Sequence, residues 1–384
     1  MHLFISAGEP SGDLHGANLI RALQARDPNV RITGFGGDRM EAAGATLLFP
    51  LTRLAVMWVG RVLANLGTFF RLAKQAENHF KTERPDAVIL IDYPGFHFAL
   101  AKRAHAAGVP VYFFVPPQLW AWRGWRVKKV HRWFAGVFTA LPFEDKWYRD
   151  RGVKTHYVGH PYYDELAAQQ LDEAFMAVER AKPGPVVGLL PGSRDQEVTK
   201  NVPPMLAAAR RIHASRPDVR FLVAAFNEHQ AALARKAAEG CALPIEFHVG
   251  RTPEIIELAH SCVAVSGSVS LELMYRLKPT VIVYKAGWLL SALATFVFMM
   301  VRYVTLVNLL ANEEVFPEYP SMYDRSRQVA DNILTWLNDP AAREQCVARL
   351  RRLKDELGRP GACDRAAAFL ADTIAGQGTT RTAA

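Results

Sequence analysis

His2-Leu3-Phe4-Ile5-Ser6-Ala7-Gly8-Glu9-Pro10-Ser11-Gly12-Asp13-Leu14-His15-Gly16 opens the chain, and its reading decides the fold. A strand-like apolar run enters a glycine-bearing turn, and a helical pattern follows over residues 16–26. The same unit recurs in the second half, where Val186-Val187-Gly188-Leu189-Leu190 leads into Pro191-Gly192-Ser193-Arg194-Asp195-Gln196-Glu197. A third turn, Ser266-Gly267-Ser268-Val269-Ser270-Leu271-Glu272, ends another strand. Open α/β sheets bind ligands beyond the carboxyl ends of their strands. Two such sheets in one chain predict two ligands meeting in a cleft, as in a transferase.

Working outward, short buried runs alternate with helical stretches throughout, the pattern of βαβ units and parallel sheet. Strands are expected near residues 2–6, 32–36, 87–92, 111–115, 137–141 and 156–159, with helices at 16–26 and 63–81. The second half repeats this near 186–190, 220–224, 245–248, 262–266 and 280–284. The expected organisation is an α/β chain of two Rossmann-like domains, 1–163 and 186–325. A linker at 164–185 joins them, and a helical segment at 326–384 packs back or swaps.

The chain has 384 residues, enough for two domains, and half of them are hydrophobic. Net charge is +9, which favours anionic partners such as phosphorylated substrates or an acidic membrane surface. Cys241, Cys262, Cys346 and Cys363 are scattered without metal-ligand spacing, so they read as reduced cytoplasmic thiols rather than a zinc site. The N-terminus enters a strand at once, and no secretory leader is visible.

Three turns and one strand end carry the chemistry. Gly192, Ser193 and Arg194 combine close backbone approach, a hydroxyl and a fixed positive charge, suited to an anion at a helix N-terminus. Ser266, Gly267, Ser268 and Ser270 do the same at another strand end, and Glu272 stands where a carboxylate can accept from ribose hydroxyls. Together they fit a nucleoside diphosphate, although serines and glycines also simply cap helices. No GxxxxGK[ST] loop, GxGxxG spacing or DxD pair is present, so protein groups rather than a metal are expected to take up the diphosphate charge. In the first half, Asp92 ends the run Ala87-Val88-Ile89-Leu90-Ile91, a position suited to a general base or equally to a turn former. Glu9, Ser11, Asp13 and His15 fall in the first turn at the same edge; Asp13 serves equally as a helix cap. His97 and His160 are weaker base candidates.

Residues 120–133 hold Trp120, Trp122, Trp125 and Trp133 among five lysines and arginines. Such interleaving suits a packed helix or an anionic lipid interface better than nucleic acid, since no nucleic-acid module accompanies it. Residues 286–301 are uncharged and apolar on every side, yet shorter than the roughly 20 residues that span a bilayer. They read as a buried or interface-dipping helix.

At this point the chain resembles the lipid-A-disaccharide synthase family. The matching pieces are Ser6 to Asp13, Leu54 to Met57, Ile91 to Phe96, Pro117 to Arg123, Leu141 to Glu144, Val158 to Pro161, Leu189 to Arg194 with Glu197, Ser266 to Glu272 and Asn308 to Ala311, in family order over about residues 1–320. The resemblance implies a glycosyltransferase B-type fold and an inverting, metal-independent enzyme without cofactor. It implies transfer of 2,3-diacylglucosamine from UDP to 2,3-diacylglucosamine 1-phosphate at the cytoplasmic face of the inner membrane, by a peripheral protein that dimerises through its C-terminal part. It makes Asp92 the base, places Glu9 as the other catalytic carboxylate with Ser11 and Asp13 on the acceptor side, and puts Arg194 and Asn308 with the donor-side turns. Trp58 replaces the family's glycine, and 312–321 depart from its Gly-Pro-Glu-Leu-Leu-Gln pattern, with Ser321 in place of glutamine; these bear on the acceptor more than on the reaction. The alternatives are a UDP-N-acetylglucosamine transferase to another lipid, a nucleotide-sugar epimerase on the same fold, or a catalytically silent sugar-nucleotide or lipid-binding protein.

Overall fold

The structure is a computed structural model and describes residues 1–55, 66–121, 123–284, 303–320 and 323–381. Trp58, Trp122, Ser321 and the apolar run 286–301 lie outside them. The chain packs as two compact units, Met1–Ala168 with Arg359–Ala384, and Gln169–Gly358.

The first unit is built on seven parallel strands: β1 (His2–Ala7), β2 (Arg31–Phe35), β3 (Thr46–Phe49), β4 (Ala87–Ile91), β5 (Val111–Phe114), β6 (Gly136–Thr139) and β7 (Thr155–Tyr157). Their order across the sheet is β3-β2-β1-β4-β5-β6-β7. Parallel strands are buried on both faces and so read as continuous apolar runs, as β4 does with all five residues buried. Alternate side chains feed two cores. Leu3, Ile5 and Ala7 pack with Leu19, Ile20 and Leu23 of the helix Pro10–Arg26. Phe4 points the other way, into a cluster with Leu72, Ala76 and Phe80 and with Phe96, Phe98 and Leu100 of the helix Pro94–Ala106.

That alternation opens a crevice at one edge of the sheet. The helix after β1 covers one face and the helix after β4 covers the other, and β1 and β4 are neighbours. The loops leaving them diverge, which is the topological switch point where α/β sheets bind ligands. Register is in step, with Ala7 opposite Ile91, so Gly8 and Asp92 begin their loops side by side.

The second unit repeats the plan with β8 (Val186–Leu190), β9 (Arg220–Ala225), β10 (Ile245–Val249), β11 (Ser261–Ala264), β12 (Thr280–Tyr284) and β13 (Glu318–Pro320), ordered β10-β9-β8-β11-β12-β13. Its switch point lies between β8 and β11, where Leu190 is opposite Ala264. The turns 191–194 and 265–268 therefore leave the sheet together.

Two strands escape the sequence reading. β3 and β13 are short edge strands, and β13 contains Pro320, which an edge tolerates. The expected boundaries also change. Residues 164–185 are not one linker: the helix Tyr162–Ala168 belongs to the first unit and Glu173–Ala181, capped by Asp172, to the second. The segment 326–384 likewise divides. Ser326–Asn338 and Pro340–Leu357 pack in the second unit, whereas Ala362–Arg381 returns to the first, where Cys363, Ala366, Ala367 and Leu370 join the core beneath β1. Asp164 caps that returning helix, accepting from the backbone N–H groups of Gly361, Ala362 and Cys363. Among the described residues no helix is long and apolar enough to cross a membrane.

Candidate active site

In the first unit, Asp92 follows β4 directly and has φ +46°; Tyr93, next in the chain, has φ +49°. Val115, just past the neighbouring β5, has φ +52°. A β-branched residue at positive φ is a real outlier, and two consecutive non-glycine residues there cost energy that surrounding structure must repay. The Asp92 N–H donates to the Val115 carbonyl at 3.2 Å, joining the two strained segments. Strain of this kind gathers at functional sites.

Gly8 explains itself at the same place. A Cβ on it would stand 2.3 Å from ring carbons of Tyr93, so only glycine lets that ring lie on the first loop. Glu9 is exposed on that loop, and its side chain caps nothing. Its carboxylate is within electrostatic reach of Asp92. Burial, reinforced by Glu9, pushes the Asp92 carboxyl up to about 6, with the Tyr93 N–H partly opposing. Glu144 lies in the same electrostatic neighbourhood. It is 2% exposed, accepts from Ala140 N–H and Trp120 Nε1, and burial raises it to about 8.

Ser11 is exposed in the first helical turn. Asp13 is committed to the fold. Its buried carboxylate accepts from the N–H groups of Gly37 (2.7 Å), Arg39 (3.1 Å) and Met40 (3.2 Å), capping the neighbouring helix Asp38–Ala42 rather than its own. His15 is buried and His160 half-buried, with their rings 5.8 Å apart, and desolvation holds both far below the usual histidine range. Neither is placed to serve as a base.

In the second unit, Gly192 has φ +111°, and a Cβ there would meet the Glu197 carboxylate at 2.4 Å. Glu197 folds back over this turn. It accepts from the N–H groups of Ser193 (3.0 Å) and Arg194 (3.2 Å) and pairs with the Arg194 guanidinium at 2.9 Å. A carboxylate thus occupies the backbone donors that sequence reasoning offered to an anion, while the Arg194 side chain stays 77% exposed. Across the switch point, Gly267 and Ser268 are exposed, and a Cβ on Gly267 would find open space. Ser266 Oγ donates to the Val304 carbonyl at 3.4 Å. Ser270 is fully buried and donates to the Gly267 carbonyl at 2.8 Å, closing the turn. Glu272 is buried and accepts from Arg276 Nε at 3.1 Å.

Asn308 is a correction. It is 0% exposed and all its side-chain bonding is internal. Oδ1 accepts from the N–H groups of Val315 and Phe316, both at 2.9 Å, and Nδ2 donates to the Phe316 carbonyl (2.7 Å) and Glu318 Oε1 (2.8 Å). It ties the loop before β13 and has nothing left for a donor sugar.

Glu179, Glu246 and His248 offer ligand atoms within 4.8 Å of one another. Lys182 and Arg220 already neutralise both carboxylates, Glu179 from the helix Glu173–Ala181 and Glu246 from β10. It reads as an ion-pair network.

Sequence reasoning missed one group at the first site and misassigned the role of another. Tyr93 gave no signal beyond following Asp92. His97 read as a weak base, yet it is 0% exposed, and both ring nitrogens are committed to Ser6 and the Asp92 carbonyl.

The lipid-A-disaccharide synthetase family model matches residues 3–372. A lipid-A-disaccharide synthase of Anaeromyxobacter dehalogenans (strain 2CP-1 / ATCC BAA-258) is 34% identical over 361 residues, covering 94% of each chain. Among solved structures, a UDP-GlcNAc 2-epimerase from Neisseria meningitidis bound to UDP-GlcNAc superposes with TM-score 0.67 at 11% identity, over 97% of this chain and 100% of that one. The glycotransferase of kitacinnamycin superposes with TM-score 0.64 at 17% identity, over 97% and 98%. At such identities the structural likeness speaks for the fold, the two-unit α/β plan of B-type glycosyltransferases. The family match decides between the enzymes that share it. The chain belongs to the lipid-A-disaccharide synthase family and is a glycosyltransferase of lipid A disaccharide synthesis.

Proposed function

We propose that the protein transfers 2,3-diacylglucosamine from UDP to the 6-hydroxyl of 2,3-diacylglucosamine 1-phosphate, with Asp92 as the general base. The observation that carries this reading is Asp92 itself: a raised, partly accessible carboxyl at a switch point, held in left-handed backbone. The acceptor hydroxyl gives its proton to the carboxylate as its oxygen bonds the anomeric carbon. The bond from that carbon to the diphosphate breaks, and UDP leaves with the electron pair. An alcohol is far too weak an acid to ionise beforehand, so proton transfer is late, and single displacement inverts the centre. A carboxyl near pH 6 is a stronger base than an ordinary aspartate while remaining ionised in neutral solution. The test is mass-spectrometric detection of the disaccharide phosphate and UDP, with EDTA present. No product from a folded, UDP-binding protein would mean that the acceptor is wrong.

The pH profile follows from the direction of the shift. Asp92 must be unprotonated to accept a proton, so kcat/KM should rise through about pH 6 and level off above it. A limb near pH 4 would mean that Asp92 keeps an ordinary aspartate's pKa in the free enzyme and is not raised by its site.

On the donor side, the Arg194 guanidinium and the turn of Ser266, Gly267 and Ser268 are the groups offered to the diphosphate, with Gly192, Ser193 and Glu197 shaping the loop. Hydrogen bonds to charged groups are worth about 1.5–3 kcal/mol, so Arg194→Ala should weaken UDP binding by roughly 10- to 100-fold in calorimetry. An unchanged Kd would remove Arg194 from the donor site.

The lipid substrates call for a membrane surface, and the first unit has one that suits it. Trp125, Leu66 and Phe70 are exposed, Leu66 and Phe70 in the first two turns of the helix Leu66–Thr82 and Trp125 in the short helical turn Gly124–Arg126 that comes after β5. Arg126 and Lys129 lie over the Trp125 ring at 5.5 and 5.6 Å. Aromatic rings flanked by cations match an anionic interface. This supports peripheral attachment at the cytoplasmic face of the inner membrane; a homodimer belongs to the same reading.

A further inference from the structure

Residue 92 is held left-handed by specific bonds. The Asp92 carbonyl accepts from His97 Nδ1 at 2.7 Å, and the His97 backbone N–H donates to the Tyr93 carbonyl at 3.1 Å. His97 Nε2 is 2.9 Å from Ser6 Oγ, at the end of β1. Ser6 and His97 are both 0% exposed. A carbonyl oxygen only accepts, so Nδ1 carries the proton. Nε2 is then bare and accepts from the Ser6 hydroxyl. The ring has one tautomer and no free nitrogen, which removes it as a base. Burial also holds its pKa down at about 4, so it stays neutral where the enzyme works.

We propose that His97 is a positioning residue for Asp92: with its tautomer set by Ser6, its Nδ1–H clamps the Asp92 carbonyl and keeps residue 92 left-handed, so that the carboxylate stands over the carboxyl edge of the sheet. The clamp also ties the ends of β1 and β4, the two strands whose loops carry Glu9 and Asp92. This inference rests on Asp92 being the base. A carboxylate displaced by about 1 Å can lose on the order of 100-fold in rate, because proton transfer needs hydrogen-bond reach in the transition state.

The experiment compares His97→Leu, His97→Asn and Leu100→Ala, the last a buried residue of the same helix with no tie to Asp92. Leucine removes the donor at similar volume. Asparagine puts Nδ2 near the place of Nδ1 and keeps the donor. We expect His97→Leu to lower kcat by roughly 10- to 100-fold with KM for the UDP-sugar nearly unchanged, and to move the acid limb of the pH profile. His97→Asn should recover most of kcat. Leu100→Ala should lower the melting temperature and leave both kcat and the limb in place. Wild-type kcat and an unmoved limb in His97→Leu would overturn the proposal, and so would His97→Asn no better than His97→Leu. Should His97→Leu fail to fold, ¹⁵N NMR of the histidine-labelled wild type decides, with His97→Asn identifying the signal: Nδ1 protonated and Nε2 bare is required, and the opposite tautomer sinks the clamp. Asp92→Asn separates the two levels. If that variant is active, the base reading fails and this proposal with it; if it is inactive while His97→Leu behaves as wild type, only the clamp fails.

Discussion

Asp92→Asn should lower kcat/KM by about 10³-fold or more, while UDP binding and folding survive. General base catalysis contributes roughly 10²- to 10⁴-fold, and an amide cannot take the proton. The substitution is otherwise gentle. Asparagine is isosteric, and it tolerates left-handed backbone better than most residues, so φ +46° costs it little. Stability should move in a telling direction. The folded-state pKa of Asp92 is raised from 3.8 to about 6, so the fold disfavours the ionised form. That penalty is absent below the unfolded pKa, grows as pH rises between the two values and is complete above 6. Removing the charge should therefore leave the melting temperature at pH 8 unchanged or slightly higher, with no gain at pH 4. A residue that mattered only for structure would lose activity and stability together. Activity measured by product mass, binding by calorimetry and unfolding by heat distinguish these cases. Retained activity in the folded variant would dismiss Asp92 as base.

The parts of this picture that were legible in sequence share a physical cause. Buried parallel strands show themselves as apolar runs, and a polar residue ending such a run, as Asp92 ends β4, lies at a carboxyl edge whatever the rest of the fold does. The turns at Gly8 and Gly192 were legible because glycine is needed where another side chain crosses the backbone. What stayed hidden depends on partners distant in sequence. Asp13 reads as a residue beside a site until Gly37, Arg39 and Met40 are brought to it. Ser6 and His97 lie 91 residues apart, and only the β1–β4 register brings them together. The returning helix Ala362–Arg381 reads as helical, but its weakly amphipathic sequence does not say which unit it will cover. β13 was invisible because three edge residues ending in proline carry no strand signal.

Asn308→Ala should destabilise the second unit by roughly 3–9 kcal/mol, because it orphans the N–H groups of Val315 and Phe316 and the Phe316 carbonyl in a buried site, at about 1–3 kcal/mol each. The geometry demands an amide. Its oxygen faces two N–H donors and its nitrogen faces two oxygens, one on Glu318. Glu318 is itself the hub of the loop, accepting from Val304 N–H, Thr305 N–H and Thr305 Oγ1. Asn308→Asp, usually a mild exchange, should therefore be no better than alanine: it keeps the two accepted bonds but sets a charged oxygen against the Phe316 carbonyl and the Glu318 carboxylate. If Asn308 instead touched the donor sugar, both variants would keep the wild-type melting temperature and lose affinity for the UDP-sugar. Thermal unfolding alongside calorimetry separates the outcomes. Low activity caused by a falling folded fraction, with normal affinity in what remains folded, is the result the buried clamp requires. An amide that fixes the loop beside β12 and β13 fixes the edge of the very sheet whose β8 and β11 turns are proposed for the donor, so on that reading its loss reaches chemistry through the fold.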